Sequence, residues 1–316
     1  MMSKKVDYLA SKMIQKPYLI AMGAGKLSRW YKMSKDEVYE ARVIAKASIS
    51  SIGENNKTHM PNILVLDIET APIKAFVWRL WKENISLDQI SSDWFMLTWS
   101  AKWLYSAEIM SDRLTSSEAI EENDKRIIES LWKLMNAADI IIAHNGISFD
   151  VPKANARFIK WGLPPTKPYQ QIDTRIIAAK QFGFSSNKLE ALARMFGIAG
   201  KFDTDFKLWV QCINGDEESL SYMEQYNRHD VVVLEEVYLR MRSWIKGHIN
   251  LSLYSDGANP VCPNCGSNKL HLDGGYYYTP AGRYKTLRCE CGAISRERVS
   301  DLTPDERKNI VVSIAR

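Results

Sequence analysis

Carboxylate side chains occur at three separated points of the chain where metal-dependent chemistry is expected. Asp67 and Glu69 end one apolar run, Asp150 follows a second, and Asp230 lies much later in the chain. Carboxylate oxygens are the ligands that Mg²⁺ and Mn²⁺ prefer. Two such ions, roughly 3.5–4 Å apart, activate water and stabilise the leaving oxygen of a phosphoryl displacement. These four acids therefore predict phosphodiester hydrolysis, provided that the fold brings them together.

Two predicted strands place three of the acids at one edge of a sheet. The apolar segment 62–67 predicts a strand, and Asp67 and Glu69 share a side of it because strand side chains alternate. The apolar segment 139–143 predicts a fully buried strand shortly before Asp150. Sites in open α/β sheets form at the carboxyl ends of the strands. We therefore expect the three carboxylates to lie close together.

A predicted helix supplies the fourth acid together with a tyrosine. Residues 217–244 contain no Gly or Pro, which favours one long helix. Tyr226 and Asp230 are four residues apart and so share a helix face. A phenol at that position is suited to hydrogen-bond an attacking water and orient it.

The composition divides the chain into four segments. Residues 1–50 show helical spacing of apolar residues, and residues 51–60 are polar and predict a linker. Residues 61–248 alternate strands and helices, which predicts an α/β domain. Residues 257–316 hold four of the five cysteines and form a separate small module.

Three sequence strings resemble the exonuclease motifs of the DEDD superfamily, whose fold is ribonuclease-H-like. LVLDIETAP contains the Asp-x-Glu motif, IIAHNGISFD contains Asn-x3-Phe-Asp, and YNRHD contains the Tyr-x3-Asp of the tyrosine subclass. They occur in the family's order within residues 61–245. The matching positions are Asp67, Glu69, Asn145, Phe149, Asp150, Tyr226 and Asp230.

The resemblance implies a mixed sheet flanked by helices and a 3′–5′ exonuclease that uses two Mg²⁺ or Mn²⁺ ions. Nucleoside monophosphates would be the products. It implies that Tyr226 positions the water and that Asn145 and Phe149 lie next to the terminal nucleotide. His229 is out of register with the histidine subclass, which favours a surface or supporting role. Asp173 is expected either to support the site or to cap the following helix.

Four cysteines in two close pairs predict a metal site of a different kind. Cys262 and Cys265 form one knuckle, and Cys289 and Cys291 form a second. Four thiolates from two knuckles are typical of a zinc ribbon with one structural Zn²⁺. The second pair has one intervening residue instead of two, so His271 is an alternative ligand. Gly274-Gly275 and Ala281-Gly282 predict hairpin turns between the pairs.

Basic flanks surround an acidic centre. The net charge of +5 divides into +6 for residues 1–50, −4 for residues 51–256 and +3 for residues 257–316. Basic ends suit phosphate binding, although solvated surfaces that merely differ in charge remain an alternative. The cysteine module interleaves arginines with tyrosines, as single-strand binding by stacking requires, or it is only a solvated surface.

Residues 1–50 have the order of a helix-turn-helix. Gly23-Ala24-Gly25 predicts a turn, and Ser34 with Glu37 predicts a capping box at the start of a helix ending near Ala47. This segment either reads DNA, contacts a partner such as a DNA polymerase, or caps the core. No apolar run approaches the roughly 18 residues of a membrane span, and no signal-peptide pattern is present, which predicts a cytoplasmic protein without a membrane partner.

The arrangement resembles the stand-alone exonucleases that some bacteriophages encode beside their polymerase. That resemblance implies proofreading or end processing of DNA in the host cytoplasm. The same set of four acids also occurs in exoribonucleases, so RNA is an alternative substrate. A non-catalytic DNA-binding scaffold of replication is a third interpretation, which the intact set of acids disfavours.

Overall fold

A computed structural model describes residues 4–16, 18–55, 60–198, 204–255 and 259–314. The chain separates into two compact units, Met1–His59 and Met60–Arg316. Within the described residues, no helix is both long enough and apolar enough to cross a membrane.

The first unit is helical. Its helices are α1 (Lys4–Gln15), α2 (Tyr18–Ala21), α3 (Ala24–Tyr31) and α4 (Lys35–Asn55). Val6, Leu9 and Met13 repeat at helical spacing, and all three are fully buried in the core of this unit. The predicted capping box is present, because the Ser34 backbone N–H donates to Glu37 and the Glu37 N–H donates back to Ser34 Oγ.

Helix α4 is longer than predicted. The prediction of an end near Ala47 and of a linker from residue 51 was wrong for residues 48–55, which are helical. The chain contains no proline between residues 18 and 60 and no glycine between residues 26 and 52, so nothing in that stretch breaks the helix. Residues 56–59 of the predicted linker lie outside the described part.

A five-stranded mixed sheet forms the centre of the second unit. Its strands are β1 (Ile63–Thr70), β4 (Met96–Trp103), β5 (Met110–Arg113), β6 (Ile140–Ala143) and β7 (Gln170–Asp173). The spatial order is β5-β4-β1-β6-β7. Strand β1 is antiparallel to β4 and parallel to β6, and β7 is parallel to β6. A separate two-stranded ladder joins β2 (Lys74–Ala75) to β3 (Ile90–Ser92).

Helices cover both faces of this sheet. They are α5 (Ser116–Ile120), α6 (Lys125–Ala137), α7 (Asp150–Lys160), α8 (Thr174–Gln181), α9 (Leu189–Met195), α10 (Phe206–Ile213) and α11 (Glu217–Met241). Alternation in β1 sends Leu64 and Leu66 into the core shared with α6 and α7. It sends Ile63 and Val65 into the core shared with α11. The predicted α/β class with a ribonuclease-H-like mixed sheet is confirmed.

The cysteine module is a three-stranded antiparallel sheet followed by a short helix. Its elements are β8 (Leu270–Thr279), β9 (Gly282–Cys289), β10 (Ile294–Arg296) and α12 (Pro304–Lys308), with β9 in the middle. The predicted turn at Ala281-Gly282 joins β8 to β9. The predicted turn at Gly274-Gly275 was wrong, because β8 continues through it as a bulge with the register shift between Leu272 and Tyr276.

Candidate active site

Strand β1 presents two acids to helix α11. Asp67 and Glu69 continue the odd-numbered face that holds Ile63 and Val65, while Ile68 is buried on the opposite face. Pairing with β4 fixes the register, with Asp67 opposite Ser100 and Glu69 opposite Thr98. The expected shared side of the two carboxylates follows directly from this alternation.

Asp150 is the first residue of α7 and is tied to β1. Its Oδ1 accepts a hydrogen bond of 3.2 Å from the Ile68 backbone N–H. The turn before it is held by Asp173, whose carboxylate accepts from the backbone N–H groups of Asn145 and Ile147, each at 3.1 Å. Asp173 also caps α8. It therefore fills both roles that the sequence left open for it.

Helix α11 contributes three neighbouring side chains. Tyr226 and Asp230 lie one turn apart and hydrogen-bond through their side chains. Between them, fully buried Asn227 donates from Nδ2 to Asp67 Oδ2 at 2.6 Å. Asn227 was not singled out in the sequence, since no local pattern marks a contact 160 residues away. A buried ion pair between Lys102 and Glu235 also joins α11 to β4.

Asp150 is buried, Asp67, Glu69 and Asp230 are half-buried, and electrostatic repulsion acts among them. The pKa of Asp67 lies well above its usual value because of burial, and repulsion by Asp150, Asp230 and Glu69 raises it further. The hydrogen bond from Asn227 acts in the opposite direction. Carboxylates that raise each other's pKa in this way favour a cation between them.

The remaining acids show the same electrostatic pattern. Burial, followed by repulsion from Asp230 and Asp150, raises the pKa of Glu69 to about 8. Burial is also the main cause that raises the pKa of Asp150 to about 7 and that of Asp230 to about 6. Hydrogen bonds from Ile68 and from Tyr226 partly oppose these two increases.

The raised pKa of Glu69, caused mainly by burial and further by repulsion, predicts that Glu69→Gln stabilises the metal-free protein increasingly as the pH rises. A free glutamate ionises near pH 4.3, whereas Glu69 in the folded chain does so near pH 8. Between these values the folded state binds more protons, so the contribution of Glu69 to the free energy of unfolding falls as the pH rises. The experiment is thermal unfolding in EDTA at pH 5 and pH 8.

The expected gain of Glu69→Gln over the wild type is several degrees at pH 8 and smaller at pH 5. Saturating Mg²⁺ should reverse the order at pH 8, because the variant lacks one of the four predicted ligands. Glu121→Gln, a change at an exposed acid, is the control and should follow the wild type. Equal curves for Glu69→Gln and the control would contradict the raised pKa of Glu69.

A cleft of about 480 Å³ opens beside Glu69. The indole N–H of Trp209 donates to the Glu69 carboxylate, and Trp209 also lines the cleft. Lys153 lies one turn along α7 from Asp150, and its Nζ is 3.7 Å from the centre of the Trp94 ring. The sequence analysis missed three of these residues. Trp94 and Trp209 lie far from any motif, and Lys153 lies on a helix face whose contacts the sequence does not reveal.

The other predicted substrate residues lie in the turn before α7. Asn145 has a positive φ of 76°, and its side-chain oxygen accepts from Arg175 at 3.2 Å. Phe149 is half-buried against the core, and Lys153 Nζ lies 5.3 Å from its ring centre. His229 is half-buried, and its charge lowers the pKa of Asp230, so it lies near the site.

The four cysteines converge as one cluster. Their sulfur atoms all lie within 4.8 Å of one another. The Sγ atoms of Cys262 and Cys291 are 3.8 Å apart, and those of Cys265 and Cys289 are 3.5 Å apart. A tetrahedral site with Zn–S bonds of ~2.3 Å has sulfur–sulfur edges of ~3.8 Å. The cluster fits a zinc ribbon, and His271, exposed on β8, lies outside it.

The fold and a family match define a ribonuclease-H-like domain in this chain. The RNase_H_2 family of the RNase H superfamily matches residues 106–242, which include Asp150, Tyr226 and Asp230 but not β1.

Two polymerases are similar to parts of the chain. A DNA polymerase III of the PolC type from Ureaplasma parvum serovar 3 is 32% identical over 104 residues, which are 33% of this chain and 6% of that protein. The family B DNA polymerase of the archaeon Pyrobaculum calidifontis is 14% identical, with a TM-score of 0.41 over 72% of this chain and 32% of that one. The chain thus spans a small part of either polymerase.

Proposed function

We propose that this protein is a metal-dependent 3′–5′ exonuclease that hydrolyses DNA to nucleoside monophosphates. The observation that carries the proposal is the set of four neighbouring acids whose pKa values are all raised, mainly by burial and, for Asp67 and Glu69, also by repulsion from the other acids. The ribonuclease-H-like fold and the similarity to a DNA polymerase III support nuclease chemistry and DNA as the substrate.

The donor set fits two hard cations. Asp67, Glu69, Asp150 and Asp230 offer only carboxylate oxygens, which suit Mg²⁺ or Mn²⁺. Among the described residues, no three acids bring ligand oxygens within 4.8 Å of one another. We propose that the four acids together hold two ions roughly 3.5–4 Å apart. When bound, the ions would activate the attacking water and stabilise the leaving 3′ oxygen.

The remaining side chains position the reactants. Burial and the nearby Asp230 raise the pKa of Tyr226, so its phenol stays protonated and can hydrogen-bond the attacking water. Asn227 holds Asp67 in place through its 2.6 Å hydrogen bond. Asn145 and Phe149 are proposed to contact the terminal nucleotide.

The two appendages are proposed to bring nucleic acid or a replication partner to this centre. In the cysteine module, Tyr276, Tyr277 and Tyr278 are exposed. The Arg283 guanidinium lies 4.8 Å from the ring centre of Tyr276, and that of Arg296 lies 5.6 Å from that of Tyr277. Such pairs suit binding to a single strand. Proofreading or end processing beside a polymerase, as in a phage replication system, is the role that we propose.

The experiment that tests the function is a time course on 5′-labelled oligonucleotides of DNA and of RNA, single- and double-stranded, with Mg²⁺ or Mn²⁺. A ladder that shortens from the 3′ end of DNA is the expected result. Faster degradation of matched RNA would make the protein an exoribonuclease. Binding of DNA in EDTA without any hydrolysis in Mg²⁺ would contradict the proposal and favour a scaffold.

A further inference from the structure

An exposed apolar loop follows the first catalytic strand. This aromatic loop, residues 76–89, connects β2 to β3. Five of its large apolar side chains are at least three-quarters exposed, namely Phe76 (75%), Trp78 (93%), Leu80 (84%), Trp81 (81%) and Leu87 (86%). Exposed apolar patches of this kind mark binding surfaces, because a protein gains nothing from leaving several aromatic rings in water.

The aromatic loop has a defined shape. The Glu83 carboxylate accepts from the backbone N–H groups of Trp78 and Arg79, at 3.1 and 2.8 Å. The Gln89 amide donates to the Phe76 carbonyl and to Glu83, at 3.0 and 3.1 Å. These bonds turn the polar groups inward and hold the aromatic rings on the outside. Ordering a surface before it binds lowers the entropic cost of binding.

The loop is continuous with the catalytic cleft. The cleft beside Glu69 is lined by Thr70, Ala71, Pro72 and Ile73, which connect β1 to the loop. At the base of the loop, Lys74 and Ser92 both bond to Glu122, at 3.1 and 2.5 Å. The aromatic loop therefore begins three residues beyond Ile73, the last of these lining residues.

The loop holds two cations and two acids, so its net charge is zero, and its exposed cations are the groups that suit a phosphate. Arg79 and Lys82 are exposed, and neither pairs with an acid among the residues that the structure describes. Glu83 is engaged within the loop, and Asp88 accepts from Ser86. Exposed indoles beside free cations bind single strands by stacking, because every base has a π-face whatever the sequence.

We propose that the aromatic loop binds the single-stranded DNA that leads into the catalytic cleft, with bases stacked on Trp78 and Trp81 and phosphates beside Arg79 and Lys82. This inference rests on the proposed nuclease function and assigns its substrate a second binding surface. The alternative occupant is another protein, which would use the same apolar side chains.

The test compares the full-length wild type with W78A/W81A and with W244A, a control at another exposed tryptophan (73%) away from the loop. Fluorescence anisotropy of 5′-labelled (dT)20 in EDTA measures binding without hydrolysis. Hydrolysis of the p-nitrophenyl ester of thymidine 5′-phosphate with Mn²⁺ measures the catalytic site alone. Since the replaced rings lie in solvent, the variants should fold, and thermal unfolding verifies this.

W78A/W81A is expected to raise the Kd for (dT)20 roughly 30-fold, with W244A and the ester hydrolysis unchanged. Equal Kd values for W78A/W81A and wild type would overturn the inference. The loop would then be a candidate surface for binding another protein. If the wild type hydrolyses neither substrate while the loop variant still loses affinity in EDTA, the proposed function fails and the loop inference stands.

Discussion

Asp67→Asn is expected to reduce Mg²⁺-dependent hydrolysis of a DNA 3′ end roughly a thousandfold or more. The pKa of Asp67 is raised by burial and by repulsion from the other three acids. Asparagine keeps the size of the side chain and an oxygen that can accept the hydrogen bond from Asn227, so the change removes mainly the charge. The measurement is single-turnover degradation of a 5′-labelled single strand.

The stability of the same variant separates catalysis from folding. Removing one of four repelling charges should leave the metal-free protein at least as stable as the wild type at pH 8. Glu121→Gln, at an exposed acid, should retain full activity. An active Asp67→Asn protein would contradict the assignment of this residue as a metal ligand. An inactive variant that is also unfolded would contradict the proposed repulsion.

Cys265→Ser is expected to remove the bound metal and unfold the cysteine module. Structural zinc contributes on the order of 10–16 kcal/mol to the folding of small zinc modules. Here the buried core of the module consists mainly of the cysteines themselves and Ala293. We expect one zinc per chain in the wild type by elemental mass spectrometry and less in the variant, together with a large drop in the melting temperature of the module.

Cys212→Ala provides the matched control for this prediction. Cys212 is fully buried in the nuclease core and lies outside the cysteine cluster. Removal of this buried thiol should lower the free energy of unfolding modestly and leave the zinc content unchanged. A full zinc content in Cys265→Ser would contradict the four-thiolate site. Retention of the module's fold after complete zinc removal would show that the cluster does not hold it together.

The parts of the site that follow from short-range periodicity were predictable from the sequence. Asp67 and Glu69 share a side because strands alternate, and Tyr226 and Asp230 share a helix face because they are one turn apart. The four cysteines were predictable for a similar reason, since two short knuckles can meet at one ion. Each of these predictions needs only the local conformation of a few residues.

The parts that depend on packing between distant elements were not predictable. Asn227 looks like any polar helical residue until α11 lies against β1. Trp209 and Lys153 look like core or surface residues until the cleft is assembled. The apolar sequence of the aromatic loop does not reveal that its rings face solvent, because apolar residues are usually buried. The sequence alone also did not show that Gly274 and Gly275 form a bulge rather than a turn.

The candidate site is complete only when α11, the last long helix of the domain, is present. The order in which the chain is synthesised therefore matters for the site. Asn227 and Asp67 meet across 160 residues, and Asp230 follows on the same helix. During synthesis β1 therefore leaves the ribosome long before α11 has been made. Contacts between residues so far apart in the sequence form late in folding. A nascent or prematurely terminated chain lacks one carboxylate and its tyrosine. We expect fragments that end before α11 to lack hydrolytic activity.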